Sequence, residues 1–71
     1  MSIGERIRHY RTIRGYTQGF LASRLCVTTQ AVSKWENGHS LPDAITLSKI
    51  AGVLGVSCDT LILGKDLLPK G

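Results

Sequence analysis

At 71 residues the chain is one domain at most, and a folded unit of this size buries only about 60% of the surface its unfolded chain exposes, which favours a compact, mostly helical core. With 42% hydrophobic and 20% charged residues, disorder is not expected. No apolar run approaches the ~20 residues that span a bilayer and the N-terminal MSIGERIRHYR lacks a signal-peptide apolar stretch, so no membrane association and a cytoplasmic location are expected.

The net charge of +4 is unevenly placed. Residues 1–37 hold Arg6, Arg8, Arg11, Arg14, Arg24 and Lys34 against Glu5 and Glu36, whereas in residues 38–71 Lys49, Lys65 and Lys70 are balanced by Asp43, Asp59 and Asp66. A polyanion is the natural partner of the first half, since phosphate attraction supplies most non-specific affinity for nucleic acid; a merely soluble basic face is the plainer alternative. Cys26 and Cys58 form no CxxC pair, and His9 and His39 add no metal-ligand spacing to them. Two buried free thiols, no metal and no cofactor are therefore expected.

Ile3, Ile7 and Tyr10 recur at helical spacing and Gly15 follows as a C-terminal stop, which predicts a first helix over 3–14. Thr17 is suited to cap a second helix from Gln18 to about Leu25. Thr28 can cap a third, which ends at Asn37 and Gly38. Within QGFLASRLCVTTQAVSKWEN, Leu21, Ala22, Leu25, Val27, Val32 and Trp35 have the spacing of two short helices packed across a tight turn, with Ala22 as the small residue at their crossing. The third helix then exposes Thr29, Gln30, Ser33 and Lys34, all able to hydrogen-bond base edges or phosphates. Pro42 and Asp43 open a fourth helix with an apolar stripe of Ala44, Leu47, Ile50, Ala51 and Leu54, stopped by Gly55. Ser57 caps a short fifth helix, Cys58 to Leu63, closed by Gly64 before the tail KDLLPKG. No internal repeat, low-complexity stretch or strand pattern interrupts this order.

From about Ile3 to Gly64 the chain resembles the DNA-binding domain of phage repressor and Cro proteins and their bacterial relatives. The resemblance rests on Arg11, Thr17 with Gln18, Leu21 with Ala22, Trp35 to Gly38, Pro42, and Leu54 to Val56, in order and at the right gaps. It implies an all-α, compact five-helix bundle over residues 1–64 with a short tail at 65–71, helices two and three forming the helix-turn-helix. It also implies that Arg11 and Glu36 form a partly buried ion pair tying helix one to the end of the recognition helix; a surface charge is the plainer reading of Arg11.

By the same resemblance Thr29, Gln30, Ser33 and Lys34 are the base-reading positions, with glutamine suited to adenine, lysine to guanine and threonine to the thymine methyl. Gln18, Thr28, Asn37, Arg11 and Arg14 are the candidate phosphate contacts. Gln18 starts a helix whose free N–H groups favour an anion, Asn37 also serves as a helix stop, and Arg14 flanks the surface. Val32 and Trp35 are expected to point to the core, a stacking platform for single-stranded nucleic acid being the alternative for Trp35. Two positions depart from the family pattern. Cys26 stands where a left-handed glycine is usual, at a cost of about 1 kcal/mol, and Gly19 weakens helix two by about 0.5–1 kcal/mol. Phe20 is expected to pack on helix one.

The function expected is sequence-specific binding of double-stranded DNA by a transcriptional regulator of the repressor type. Few base contacts are available to one small module, so a homodimer on a palindromic operator, with centres ~34 Å apart, is expected. Leu61, Ile62, Leu63, Leu67 and Leu68 are the candidate dimer surface, the competing reading being that they close the monomer core. A protein-interaction module such as an antitoxin or anti-repressor is the alternative. No small-molecule ligand is evident, and no enzyme signature accompanies the histidines.

Overall fold

Each helix starts on a side-chain oxygen that accepts a first-turn N–H, and these five caps set the chain's punctuation. The computed structural model describes residues 1–64, and within them α1 spans Ile3–Ile13, α2 Gln18–Leu25, α3 Thr29–Glu36, α4 Ala44–Leu54 and α5 Cys58–Leu63. Thr17 accepts from the Phe20 N–H, Thr28 from Ala31, Asp43 from Thr46 and Ser57 from Thr60. At α1 the cap is reciprocal. The Glu5 N–H donates to Ser2 Oγ at 3.1 Å and the Ser2 N–H to Glu5 Oε1 at 2.9 Å, which satisfies two of the orphan donors of the helix start. Bonds from Ser2 hold the Glu5 carboxyl below its ordinary range, and the Thr46 N–H does the same for Asp43. The first helix ends one residue earlier than its spacing predicts, because Arg14 already serves as its C-cap.

One hydrogen-bond pattern recurs at four helix ends. After α4, the Gly55 N–H donates to the Gly52 carbonyl at 3.3 Å and the Val56 N–H to Ala51 at 3.0 Å, with Gly55 at φ +72°. After α2, the Cys26 N–H donates to Ser23 at 3.3 Å and the Val27 N–H to Ala22 at 3.0 Å, with Cys26 at φ +58°. Gly15 with Tyr16, and Gly38 with His39, make the same pair of bonds after α1 and α3. Cys26 therefore does a glycine's work with a side chain attached, and it is the one positive-φ residue other than glycine among those described. Cys26→Gly is expected to stabilise the chain by about 0.5 kcal/mol, the relief of left-handed strain outweighing the extra entropy of glycine in the unfolded state. Urea denaturation checks this, with Cys26→Ser as the control that keeps the Cβ and shows no gain.

The core draws on every helix: Ile7 from α1; Leu21, Ala22 and Leu25 from α2; Val32 and Trp35 from α3; Leu47, Ile50, Ala51 and Leu54 from α4; and Leu61 from α5. Four expectations need correction. Ala44, in the first turn of α4, is exposed at the rim and is not part of the stripe. The thiols are not both buried: the left-handed turn leaves Cys26 exposed, and Cys58 is half-buried. Phe20 packs not on α1 but on Tyr16 in the α1–α2 loop, ring centroids 4.5 Å apart, and stays 42% exposed. Leu61 is fully buried and closes the core, so it leaves the candidate dimer surface, while Ile62 and Leu63 remain exposed; Leu67 and Leu68 lie outside the described residues.

Two arginines of α1 and the one that caps its end fasten α3, α4 and α5 to it. Arg6 donates from Nε to the Leu61 carbonyl and from Nη2 to that of Ile62, both at 2.7 Å, and from Nη1 to Met1, so it covers the C-terminal end of α5. Arg14 Nε donates to the Leu54 carbonyl at 2.9 Å, at the end of α4. Arg11 reaches α3. A guanidinium against the last carbonyls of a helix satisfies orphan acceptors and the negative end of the helix dipole together. Half of the cations in residues 1–37 are thus committed to the fold, which weakens the inference from charge alone to a polyanion partner.

Candidate nucleic-acid interface

α2 and α3 form the expected pair, with Cys26, Val27 and Thr28 as the turn between them and Ala22 buried at their contact. α3 packs chiefly on α1 and α2, which bury Val32, Trp35 and Glu36. At 100° per residue those three occupy one side of the helix. The opposite side carries Gln30, Ser33, Lys34 and Asn37, an i, i+3, i+4, i+7 ridge. Gln30, Lys34 and Asn37 are exposed and Ser33 is half-buried. The Asn37 Nδ2 donates to Ser33 Oγ at 3.3 Å, whereas among the described residues the side chains of Gln30 and Lys34 bond no protein group.

Thr29 lies at the edge of this ridge, on the α2 side. A methyl group placed on Gly19 would sit 4.0 Å from its Oγ1, an ordinary van der Waals distance, so Thr29 faces the first turn of α2. Three of the four expected base readers thus share the ridge, and Thr29 borders it. Thr28 is exposed one residue before the helix, its Oγ1 already accepting from the Ala31 N–H at 3.1 Å.

Behind the ridge lies the ion pair. Arg11 Nε meets Glu36 Oε2 at 2.6 Å and Arg11 Nη2 meets Oε1 at 3.0 Å, a bidentate fork, while Nη1 donates to the Tyr16 carbonyl at 2.7 Å. The Glu36 side chain is 1% exposed and that of Arg11 13%. Gln18 joins them, its Nε2 donating to Glu36 Oε1 at 3.0 Å. One buried carboxylate therefore gathers α1, the start of α2 and the end of α3, and the Arg11 that holds it also ties in the α1–α2 loop.

Of the other candidate phosphate contacts, Asn37 stands at the open end of the ridge, and Arg14 has its Nε taken by α4. The links from Arg6, Arg14 and Gln18 are not visible in the sequence, since they join residues 55, 40 and 18 positions apart. The Ser2–Glu5 cap does have a sequence signal, the S-x-x-E spacing. Among the described residues, no three His, Cys, Asp or Glu side chains are grouped to hold a metal ion, and no helix is long and apolar enough to cross a membrane.

A family model described as helix-turn-helix matches residues 7–61. The chain is 44% identical over 61 residues to the SPbeta prophage-derived uncharacterized HTH-type transcriptional regulator YonR of Bacillus subtilis (strain 168), a match covering 86% of this chain and 56% of that protein. The chain spans about half the length of the curated relatives it matches. Its fold superimposes on the P22 c2 repressor protein, solved in complex with synthetic operator 9T, at a TM-score of 0.87 and 31% identity, covering 92% of this chain and 98% of that one. It also superimposes on SinR, the master regulator for biofilm formation, solved in complex with DNA, at a TM-score of 0.78 and 37% identity, covering 83% of this chain and 95% of that one.

Proposed function

This chain belongs to the helix-turn-helix family, and on that footing we propose that it binds double-stranded DNA sequence-specifically as a transcriptional regulator of the repressor type, with α3 in the major groove. The observation that carries this is the outward ridge of Gln30, Ser33 and Lys34 on a short helix held from behind by a buried ion pair. Regulators among its relatives and the operator and DNA complexes of its structural neighbours support it.

Gln30, Ser33 and Lys34 read base edges, with Thr29 at the margin of the same contact. Gln18, Thr28 and Asn37 take phosphates. Arg11 acts first as a brace, since three of its nitrogens are already bonded, and Arg14 contributes charge from the end of α4. Two copies on a palindromic operator, with half-site centres ~34 Å apart, supply the specificity that a single ridge of this size lacks. The exposed Ile62 and Leu63 remain available for pairing. The site of action is the cytoplasm, and no catalytic step belongs to this function.

Gel shifts with random-sequence duplex across a salt series test the proposal. Affinity is expected to fall steeply with salt, and salt-independent binding or none would remove it. Lys34→Ala is expected to relax the base preference at one position at a cost of about 1–3 kcal/mol, whereas Gln18→Ala weakens binding to all sequences alike. Selection from a random duplex pool with each variant separates the two. Equal, sequence-blind losses would move the reading face away from this ridge.

A further inference from the structure

We propose that Glu36 is a positioning residue for DNA: it turns the Gln18 side-chain amide so that nitrogen, not oxygen, serves the phosphate contact. This rests on the DNA-binding function proposed above. A glutamine amide carries an acceptor oxygen and a donor nitrogen at opposite corners, and a free glutamine at a helix start can present either one. Its oxygen repels a phosphate and its N–H groups attract one.

The ionised carboxylate of Glu36 only accepts, and it lies 3.0 Å from Gln18 Nε2. A flipped amide would set oxygen against oxygen, so the carboxylate selects the orientation. The second N–H on the same nitrogen is taken by no protein group among the described residues, and Gln18 is only half-buried. That N–H is the donor left for an acceptor outside the fold. Glu36 is itself held from two sides by the Arg11 fork, and Arg11 also grips the Tyr16 carbonyl just ahead of α2, so the carboxylate and the start of α2 are fixed relative to each other. The ion pair thus sets the phosphate contact of α2 as well as bracing α3.

A double-mutant cycle tests this, with affinity for random-sequence duplex as the readout and all chains confirmed folded by far-UV circular dichroism. In the native chain Gln18→Ala is expected to weaken binding about tenfold, with the salt slope unchanged because a neutral donor releases no counterion. The paired change Arg11→Met with Glu36→Leu removes both charges together, so that neither is left buried alone. In that background Gln18→Ala is expected to cost less than about twofold, since the amide is no longer oriented. The same factor in both backgrounds overturns the inference and leaves the DNA-binding function standing, whereas no duplex binding by the native chain removes both.

Should the paired variant not fold, side-chain amide NMR of the native chain decides the question. Before DNA is added, one Gln18 Nε2 proton is expected to lie downfield of its free-glutamine position because it is bonded to the Glu36 carboxylate, and the other to move when duplex is added; two protons at free-glutamine positions in the DNA-free chain overturn the inference. Gln18 amide signals that stay in place at saturation overturn the inference.

Discussion

Arg11→Ala is expected to lower the unfolding free energy by about 3–5 kcal/mol, the cost of leaving one partner of a buried ion pair unpaired. The total available to a chain of 71 residues is about 4–10 kcal/mol, so this single change brings the domain close to its folding threshold. The reason is the position of Glu36. Its side chain is 1% exposed, so it cannot turn to water once the guanidinium is gone, and of its donors only Gln18 Nε2 remains. A surface pair would cost at most about 1 kcal/mol, because both ends would simply rehydrate. Replacing both partners, Arg11→Met with Glu36→Leu, is expected to be near neutral, since no charge is then left in the core. Urea denaturation followed by far-UV circular dichroism distinguishes these cases. A loss below about 1 kcal/mol for Arg11→Ala would mean that the carboxylate is effectively solvated in solution.

What was legible in the sequence is what is local in the chain. Thr17, Thr28, Asp43 and Ser57 announce helix starts because a cap needs only a side-chain oxygen and an N–H three residues on. Gly15, Gly38, Gly55 and Gly64 announce stops because a left-handed residue tolerates no Cβ cheaply. The ridge of α3 was legible too, since eight residues at 3.6 per turn suffice to separate Val32, Trp35 and Glu36 from Gln30, Ser33 and Lys34. By contrast α5 has six residues, too few for periodicity to tell a buried Leu61 from an exposed Ile62.

The arginines were the least legible. Arg6, Arg8 and Arg14 look alike on a helix surface, yet Arg6 and Arg14 close the ends of α5 and α4 while the Arg8 side chain bonds no protein group among the described residues. A guanidinium suits a carbonyl and a phosphate equally, so composition cannot say which it will meet. The link from Gln18 to Glu36 was hidden for a related reason: an amide at a helix start is equally at home against solvent, an anion or a buried carboxylate.

The second large effect is expected at Gly4. It faces the crossing of α1 over α3, where a Cβ would lie 1.9 Å from the Trp35 carbonyl oxygen, 2.9 Å from its carbon and 3.2 Å from the Glu36 Cα. All three neighbours are backbone, so no rotamer change relieves the overlap. Gly4→Ala must lift α1 from α3, and that motion strips contacts from Ile7 and lengthens the Arg11–Glu36 pair at once. Overpacking of this kind costs about 1–3 kcal/mol in ordinary cores, and a backbone obstacle places this case at or above the upper end. Gly52 supplies the contrast. It too lies inside a helix, but a Cβ there meets nothing within 4 Å, so Gly52→Ala is expected to stabilise by about 0.5–1 kcal/mol through helix propensity alone. Opposite signs from the same chemical change, read by denaturation with Trp35 fluorescence, would locate the difference in the α1–α3 crossing. Because Trp35 and Glu36 end the helix that presents Gln30 and Lys34, folded Gly4→Ala should also bind duplex DNA more weakly than its native counterpart, although residue 4 lies on the packed side of α1. Unchanged stability in Gly4→Ala would mean that α1 sits farther from α3 in solution, and the brace through Arg11 would then lose its geometric basis.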